Sequence, residues 1–289
     1  MKLSAFEIVK TTIKKFTEDR CGNFAITVSY FAVLCSIPLV ALFAFATTKI
    51  LGNPEIASQS LNIFSEEFFA QLDPYFIKQV QYLSQNITNL GWFGLAGSFI
   101  AGSFLFSNLI YSINFIFKAN YQKSFFYNRI MEYIIMFTIG IFMLISLFIT
   151  ATWTAIQRMI QESPFVANNI NPKFVSLVDN FFVQNLIPFT LTFLVFFSLY
   201  KFIPEVKVHT RAAAIASAIS TLLFEAFKRI FAFYVAHFSA IWIVLSKLLQ
   251  GTLTSIIFFL LWLTFSLVIL FWGAELAFVL NERIHEKAK

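Results

Sequence analysis

Long apolar runs separated by short polar punctuation dominate this chain. Six of them, at roughly 24–50, 91–117, 130–156, 181–203, 211–237 and 251–280, stand out. Each exceeds the roughly 18 apolar residues that read as a helix crossing a bilayer. Length assigns helix to all six, because a lone strand would leave its backbone groups unpaired in hydrocarbon. The pattern predicts an all-α fold, a polytopic membrane bundle of six transmembrane helices forming one domain over 24–280. Residues 1–23 are a leader and 281–289 a tail. The leader places Phe6, Ile8, Val9, Ile13 and Phe16 among lysines. That pattern fits an amphipathic helix lying on the membrane surface, or an ordinary solvated leader. It lacks an apolar segment followed by a small-residue cleavage site, so the first span is expected to serve as an uncleaved signal anchor.

The polar punctuation sets the orientation. With the N-terminus inside, the inner segments hold fourteen Lys and Arg residues. The outer ones hold five, namely Lys49, Lys78, Arg158, Lys173 and Lys247. Basic residues collect on cytoplasmic loops, so the bias selects N-in, C-in. The outer connections are the long ones. Residues 51–90 read as two amphipathic helices broken at Asp73-Pro74, since proline disfavours helix at the residue before it. Residues 157–180 form a second outer-side cap, with turns at Ser163-Pro164 and Asn171-Pro172.

Composition agrees with this pattern. Of the 289 residues, 58% are hydrophobic and only 12% charged, against about 25% charged in a soluble domain. The net charge of +6 belongs to the cytoplasmic loops on this reading, so nucleic acid is not an expected partner. Cys21 and Cys35 are not placed for an extracellular disulfide. His209, His237 and His285 are widely separated, near different membrane edges, so no metal-site spacing emerges. No GxxxxGK[ST] loop is present, and no cofactor is expected.

The candidate chemistry lies inside the apolar runs. In STLLFEAFKRIFAFY, residues 220–234, Glu225 falls 14 residues after Arg211, roughly 21 Å along a helix axis. Lys228 and Arg229 are its i+3 and i+4 neighbours and can share its face. A charge at that depth costs at least about 2.5–3.5 kcal/mol, so such groups usually face the bundle or a wet cavity. They can line a pathway, lock helices together as a neutralised pair, or snorkel to an interface. Glu275, in WGAE at 272–275, would extend a polar track toward the cytoplasm. Gly273 and Ala274 beside it would admit another helix closely. The small residues Gly94, Gly97, Ala101 and Gly102 offer packing faces on the second span and would permit self-association into a homo-oligomer. Asn108 and Asn114 lie further along that span, and Tyr30 marks a polar face on the first. With Tyr234 they complete the candidate pathway, a cavity expected between spans one, two, five and six. Asp19, Glu225 and Glu275 are expected at different depths. Arg129 and Glu132 read as a surface pair.

Several of these segments resemble the YihY/BrkB family of bacterial inner-membrane proteins. LYKFIP at 199–204 is similar to its aromatic-basic-Phe-x-Pro element. FEAFKRIFAFY at 224–234 resembles its acidic-x-x-Lys…Tyr helix, and FFLLWLTFSLVILFWGAEL at 258–276 its Trp-rich helix ending in Gly-Ala-Glu. NFAITVSYFAVLCSIPL at 23–39 resembles its Ser-x-x-Pro helix more loosely. The chain departs from the family at Ala213-Ala214, Gln250-Gly251 and Phe224. The resemblance implies a six-helix protein of the bacterial plasma (inner) membrane. The family has carried the labels ribonuclease, serum-resistance factor and envelope-lipid transporter.

Three functions are therefore weighed. The first is transport of an amphiphilic, anionic envelope component such as a lipid, whose headgroup Lys228 and Arg229 would engage as charge-assisted donors. The second is a non-transporting scaffold or envelope-integrity factor, bound to membrane lipids through the basic leader and the outer caps. The third, a membrane-bound nuclease, ranks last. Metal-dependent phosphodiester cleavage needs clustered carboxylates or histidines, and no catalytic residue is nominated.

Overall fold

The computed structural model describes residues 5–35, 91–119, 129–142, 185–237 and 252–288, together with Ile145, Ile149 and Thr152. Among the described residues there are seven helices and no strand. They are α1 (Ala5–Glu18), α2 (Cys21–Cys35), α3 (Gly91–Ile116), α4 (129–142), α5 (Ile187–Phe202), α6 (Thr210–His237) and α7 (Thr252–Ala288). Helices α2 to α7 fall within or overlap the six predicted spans. One segment, Ile256–Glu286 of α7, is long and apolar enough to cross a membrane by itself. Cys21–Cys35, Ile100–Ile116 and Ile187–Phe202 are apolar but shorter. The outer caps predicted at 51–90 and 157–180 lie outside the described residues.

Helix α7 is the axis on which the others register. Cys21 of α2 meets Glu275, and Ser29 of α2 accepts a hydrogen bond from Thr264 at 2.9 Å, so α2 and α7 run antiparallel. Phe224 and Phe227 of α6 meet Trp262 and Phe265, while Ser220 lies against Gly273. Phe117, just beyond α3, packs edge-on to Phe278. The packed core gathers around the 270–279 stretch of α7, with Ile113, Ile116, Phe117, Tyr200, Ile203, Ala213, Ala216, Phe271, Ala274 and Ala277 all buried.

The leader does not stand apart from this core. Helix α1 packs along the final turns of α7, burying Thr12 and seating Ile8 and Phe16 against the core. Lys15 reaches Glu282 at 2.7 Å and lies 4.1 Å over the Phe278 ring. The tail likewise continues α7 as helix to Ala288. Phe6, Val9 and Ile13 remain on the outward face of α1.

Two tight ends frame this region. After α1 and α3 the chain turns through Arg20 and Lys118, each with a positive φ near 50°. At the second, Ala119 N–H donates to the Asn114 carbonyl and Lys118 N–H to that of Phe115, both at 3.0 Å. This paired pattern closes a helix C-terminus on a left-handed residue, usually glycine. Here the residue is lysine, whose charge complements the negative helix end.

The α5–α6 connection is held by two asparagines. Asn114 Oδ1 accepts from Glu205 N–H, and Asn281 Oδ1 accepts from His209 N–H, both at 2.8 Å. Asn281 Nδ2 also donates to the Lys207 carbonyl at 3.2 Å. Lys201 donates to the Val208 carbonyl. These bonds satisfy backbone groups that a loop would otherwise leave unpaired at a buried surface.

Arg129 and Glu132 depart from the expected surface pair. Glu132 is only 4% exposed and accepts from Arg129 at 2.7 Å and from Ser103 at 2.9 Å. Arg129 also reaches Ser103. Ser103 lies midway along α3, so about 20 Å of α3 continues past the point where α4 begins. The pairing overrides the sequence reading because a carboxylate that finds a guanidinium and a hydroxyl can be buried without an unpaired charge.

Candidate functional site

The charged stretch of α6 borders a groove, but not the one expected. Asn185, Leu186 and Phe189 from α5 and the turn before it form one wall. Leu222, Glu225, Ala226 and Arg229 of α6 form the other, around a volume of about 380 Å³. The groove lies between the fourth and fifth predicted spans, not among spans one, two, five and six. Helical spacing explains the difference. The α6 face built from Ala213, Ala216, Ser217 and Ser220 is buried in the bundle, so Leu222, Ala226 and Arg229 turn outward.

Glu225 and Arg229 line the groove, Lys228 lies beside it, and the three charges divide their work. Lys228 Nζ lies 2.7 Å from Glu225 Oε1, and both side chains are partly buried. The pair is close but not aligned as a hydrogen bond. Lys228 also sits 5.5 Å over the Phe224 ring. Arg229 turns away and donates to Asn185 Oδ1 at 2.8 Å, which ties α6 to the start of α5. Pro188 in the first turn of α5 suits a helix start there, where its missing N–H leaves no intrahelical bond unmade. The result is a mainly apolar trough with a cation, an amide and an ion pair along one edge.

The other nominated residues do not join this groove. Glu275 is fully buried and accepts from Cys21 Sγ at 3.4 Å, with Asp19 also within hydrogen-bonding reach. Asp19 and Glu275 therefore share one level, contrary to the expected separation. Glu225 does lie elsewhere. Its neighbour Phe224 meets α7 at Trp262, roughly 20 Å along the helix from Glu275. Ahead of the first predicted span, burial and the adjacent Glu275 carboxylate push the Cys21 thiol well above its usual range, which disfavours the thiolate.

Asn114 is buried as the loop anchor described above, with its Nδ2 unpartnered. Asn108 donates to the Phe104 carbonyl of its own helix at 2.8 Å. Tyr30 is exposed on α2, edge-on to Phe31. Tyr234 is partly exposed on α6 beyond Arg229, and neither tyrosine lines the groove. Gly273 and Ala274 do mark a close helix crossing. A Cβ at Gly273 would collide with Ser220 Oγ and the Tyr200 hydroxyl and come within 2.9 Å of Tyr200 Cζ. On the second span, by contrast, Gly97 faces open space and Gly102 faces Met136.

Sequence reasoning missed Asn185, which carried no signal beyond its position near a predicted span edge. It also missed Asn281, which looked like part of a polar tail. His209 and His285, expected to be separated, meet with ring centroids 5.8 Å apart. Among the described residues no group of three or more metal-donor side chains converges.

The whole-chain comparisons place these features in a family. The sequence model of the virulence factor BrkB family matches residues 12–289. A UPF0761 membrane protein of Acinetobacter baylyi is 24% identical over 276 residues, covering 96% of this chain and 62% of that protein. The chain thus spans less than two thirds of that relative's length. A UPF0761 membrane protein of Vibrio parahaemolyticus is 24% identical over 282 residues, covering 98% of this chain and 84% of its own. One from Coxiella burnetii is 25% identical over 288 residues, covering 100% and 98%. No solved structure matches. These relatives are named as membrane proteins, in keeping with the apolar α7, and the chain is a membrane protein that belongs to the virulence factor BrkB family.

Proposed function

We propose that this protein is a multi-pass protein of the bacterial inner membrane, with six spans oriented N-in, C-in, that carries an amphiphile with an anionic headgroup, such as an envelope lipid. The observation that carries the reading is the groove between α5 and α6. Leu186, Phe189, Leu222 and Ala226 give it apolar walls, while Arg229, Asn185 and Glu225, itself paired with Lys228, give it a polar edge. An acyl chain fits the first surface. A phosphate or carboxylate fits the second, because Arg229 can exchange its neutral amide partner for an anion in a stronger, charge-assisted bond. Glu225, the one carboxylate among the described lining residues, is already engaged by Lys228, which favours carriage over metal-dependent hydrolysis.

One observation favours a second reading, a non-transporting scaffold. The Arg229–Asn185 bond is made within the chain and could serve simply to hold α5 against α6, while Glu225 and Lys228 neutralise each other on α6.

Reconstitution into liposomes separates the two. Movement of fluorescent anionic lipid between leaflets is compared for wild type, Glu225→Gln and Lys228→Ala/Arg229→Ala at matched insertion. Headgroup-dependent movement that the variants lose supports the carrier. Movement unchanged in the variants removes the groove from the pathway, and no movement in any sample leaves the scaffold reading.

A further inference from the structure

Two histidines that lie 76 residues apart in the chain come together at one end of the bundle. His209 ends the α5–α6 loop, His285 lies in the last turns of α7, and both rings are exposed. Their placement is held by the backbone. Asn281, one turn before His285 on the same face of α7, binds the His209 N–H and the Lys207 carbonyl. The loop that carries one imidazole is thus fastened to the helix that carries the other.

The separation suits a shared metal. Zinc–imidazole bonds are about 2.0–2.1 Å, so two rings on one tetrahedral ion hold their centroids roughly 5–6 Å apart. The observed separation is 5.8 Å, with the planes inclined at 68°. Because both rings are exposed, the rotations that aim two nitrogens at one point break no buried contact.

The surroundings narrow the class of ion. Lys207, Arg211 and Arg283 lie nearby in sequence, and Glu282 on the adjoining turn is committed to Lys15. Glu286, beside His285, adds one exposed carboxylate, too few oxygens for a hard cation such as magnesium, which needs several. Imidazole nitrogens suit zinc, copper and nickel, whose binding does not depend on net negative charge.

We propose that His209 and His285 form a two-imidazole site for a divalent transition-metal ion, completed by water, that clamps the α5–α6 loop to the end of α7. The site is separate from the α5–α6 groove and does not depend on the carrier reading.

The test is zinc titration of the full-length protein in detergent, by calorimetry, with magnesium as control. One zinc ion per chain is expected, and no magnesium. A bidentate site predicts that His209→Gln and His285→Gln each lower zinc affinity about tenfold or more, and that the double variant falls no further, because each single change already breaks the chelate. His237→Gln should bind as wild type does. Thermal unfolding without metal serves as the folding control, and both exposed variants should match wild type there. Absence of saturable zinc binding, or binding that survives either substitution at His209 or His285 in folded protein, overturns the proposal.

Discussion

Helix α6 is two helices in character. From Ala212 to Thr221 its inner face is alanine, serine and threonine, all fully buried. From Leu222 onward it carries Glu225, Lys228 and Arg229 among bulky residues that largely face outward. The first half lets Tyr200, Ser220 and Gly273 of three different helices meet at one point. The second half diverges from α5 far enough to leave the groove. Small side chains bring helix backbones together. Large ones with charges at their tips hold them apart. The polar groups divide in the same way. Near Gly273 they are backbone staples with fixed partners, whereas in the groove they are side chains that can exchange partners.

The sharpest way to break this contrast is at Gly273. Gly273→Ala would force a methyl group into the Tyr200 ring and hydroxyl and the Ser220 oxygen. The Tyr200 hydroxyl also donates to the Leu270 carbonyl at 2.8 Å, so it cannot swing away without losing that bond. A loss of about 3 kcal/mol is expected, at the upper end for overpacking a tight core. Thermal unfolding in detergent is the measurement. Adding Ser220→Ala removes one of the colliding atoms and should restore part of the loss. A Gly273→Ala protein as stable as wild type would mean that the junction is loosely packed and that the two halves of α6 do not differ.

Two intermediate effects sharpen the distinction between fixed and exchangeable polar groups. Glu132→Ala leaves Arg129 half-buried against α3 without its carboxylate. About 2 kcal/mol should be lost, less than for a fully buried pair because Arg129 keeps some solvent. Asn281→Ala orphans the His209 N–H and the Lys207 carbonyl, for about 1–2 kcal/mol. Denaturation of each variant checks the figure. Hydrogen exchange at 203–210 should rise only for the asparagine variant, because Arg129 and Glu132 sit on a different helix pair.

How far these two regions were legible in the sequence differs for the same physical reason. The helices were legible because burial in lipid demands long apolar runs, and the close crossing was legible because Gly273-Ala274 is a local pattern. The partners of polar side chains were not. Which helix faces Glu225 depends on how α6 is rotated, and that rotation is set by the small face from Ala213 to Ser220 on the other side. Glu275 looked like a continuation of the Glu225 site because both are acids in apolar runs, yet the start of α2 and the turn before it deliver Cys21 and Asp19 to it instead. Asn114 and Asn281 looked like a pathway residue and a tail residue. Each turns out to hold a loop whose backbone needs are invisible in side-chain patterns. His209 and His285 meet only because that loop folds back on α7.

The smallest expected effect on stability falls on the residues with the largest proposed effect on function. Glu225 and Lys228 form an i,i+3 pair on one helix, and Arg229 bonds a neutral amide at an exposed site. Partly solvated pairs of this kind contribute about 0–1 kcal/mol. Lys228→Ala/Arg229→Ala should therefore unfold within about 1 kcal/mol of wild type, well short of Gly273→Ala. Lipid movement in liposomes should nevertheless fall about tenfold or more, the change expected when a charge-assisted headgroup bond worth about 1.5–3 kcal/mol is lost. Arg229→Lys separates charge from shape. A lysine keeps the cation but loses the planar fork, so weakened movement of phosphate-headed lipid with unchanged stability would point to bidentate contact. Asn185→Leu supplies the structural control, since it removes Arg229's partner within the chain and leaves the guanidinium free for an anion. If the groove is a site, that variant keeps or gains movement. If the groove is only a lock between α5 and α6, Asn185→Leu and Arg229→Ala should destabilise the protein equally, and the outer half of α6 would then be as structural as the inner.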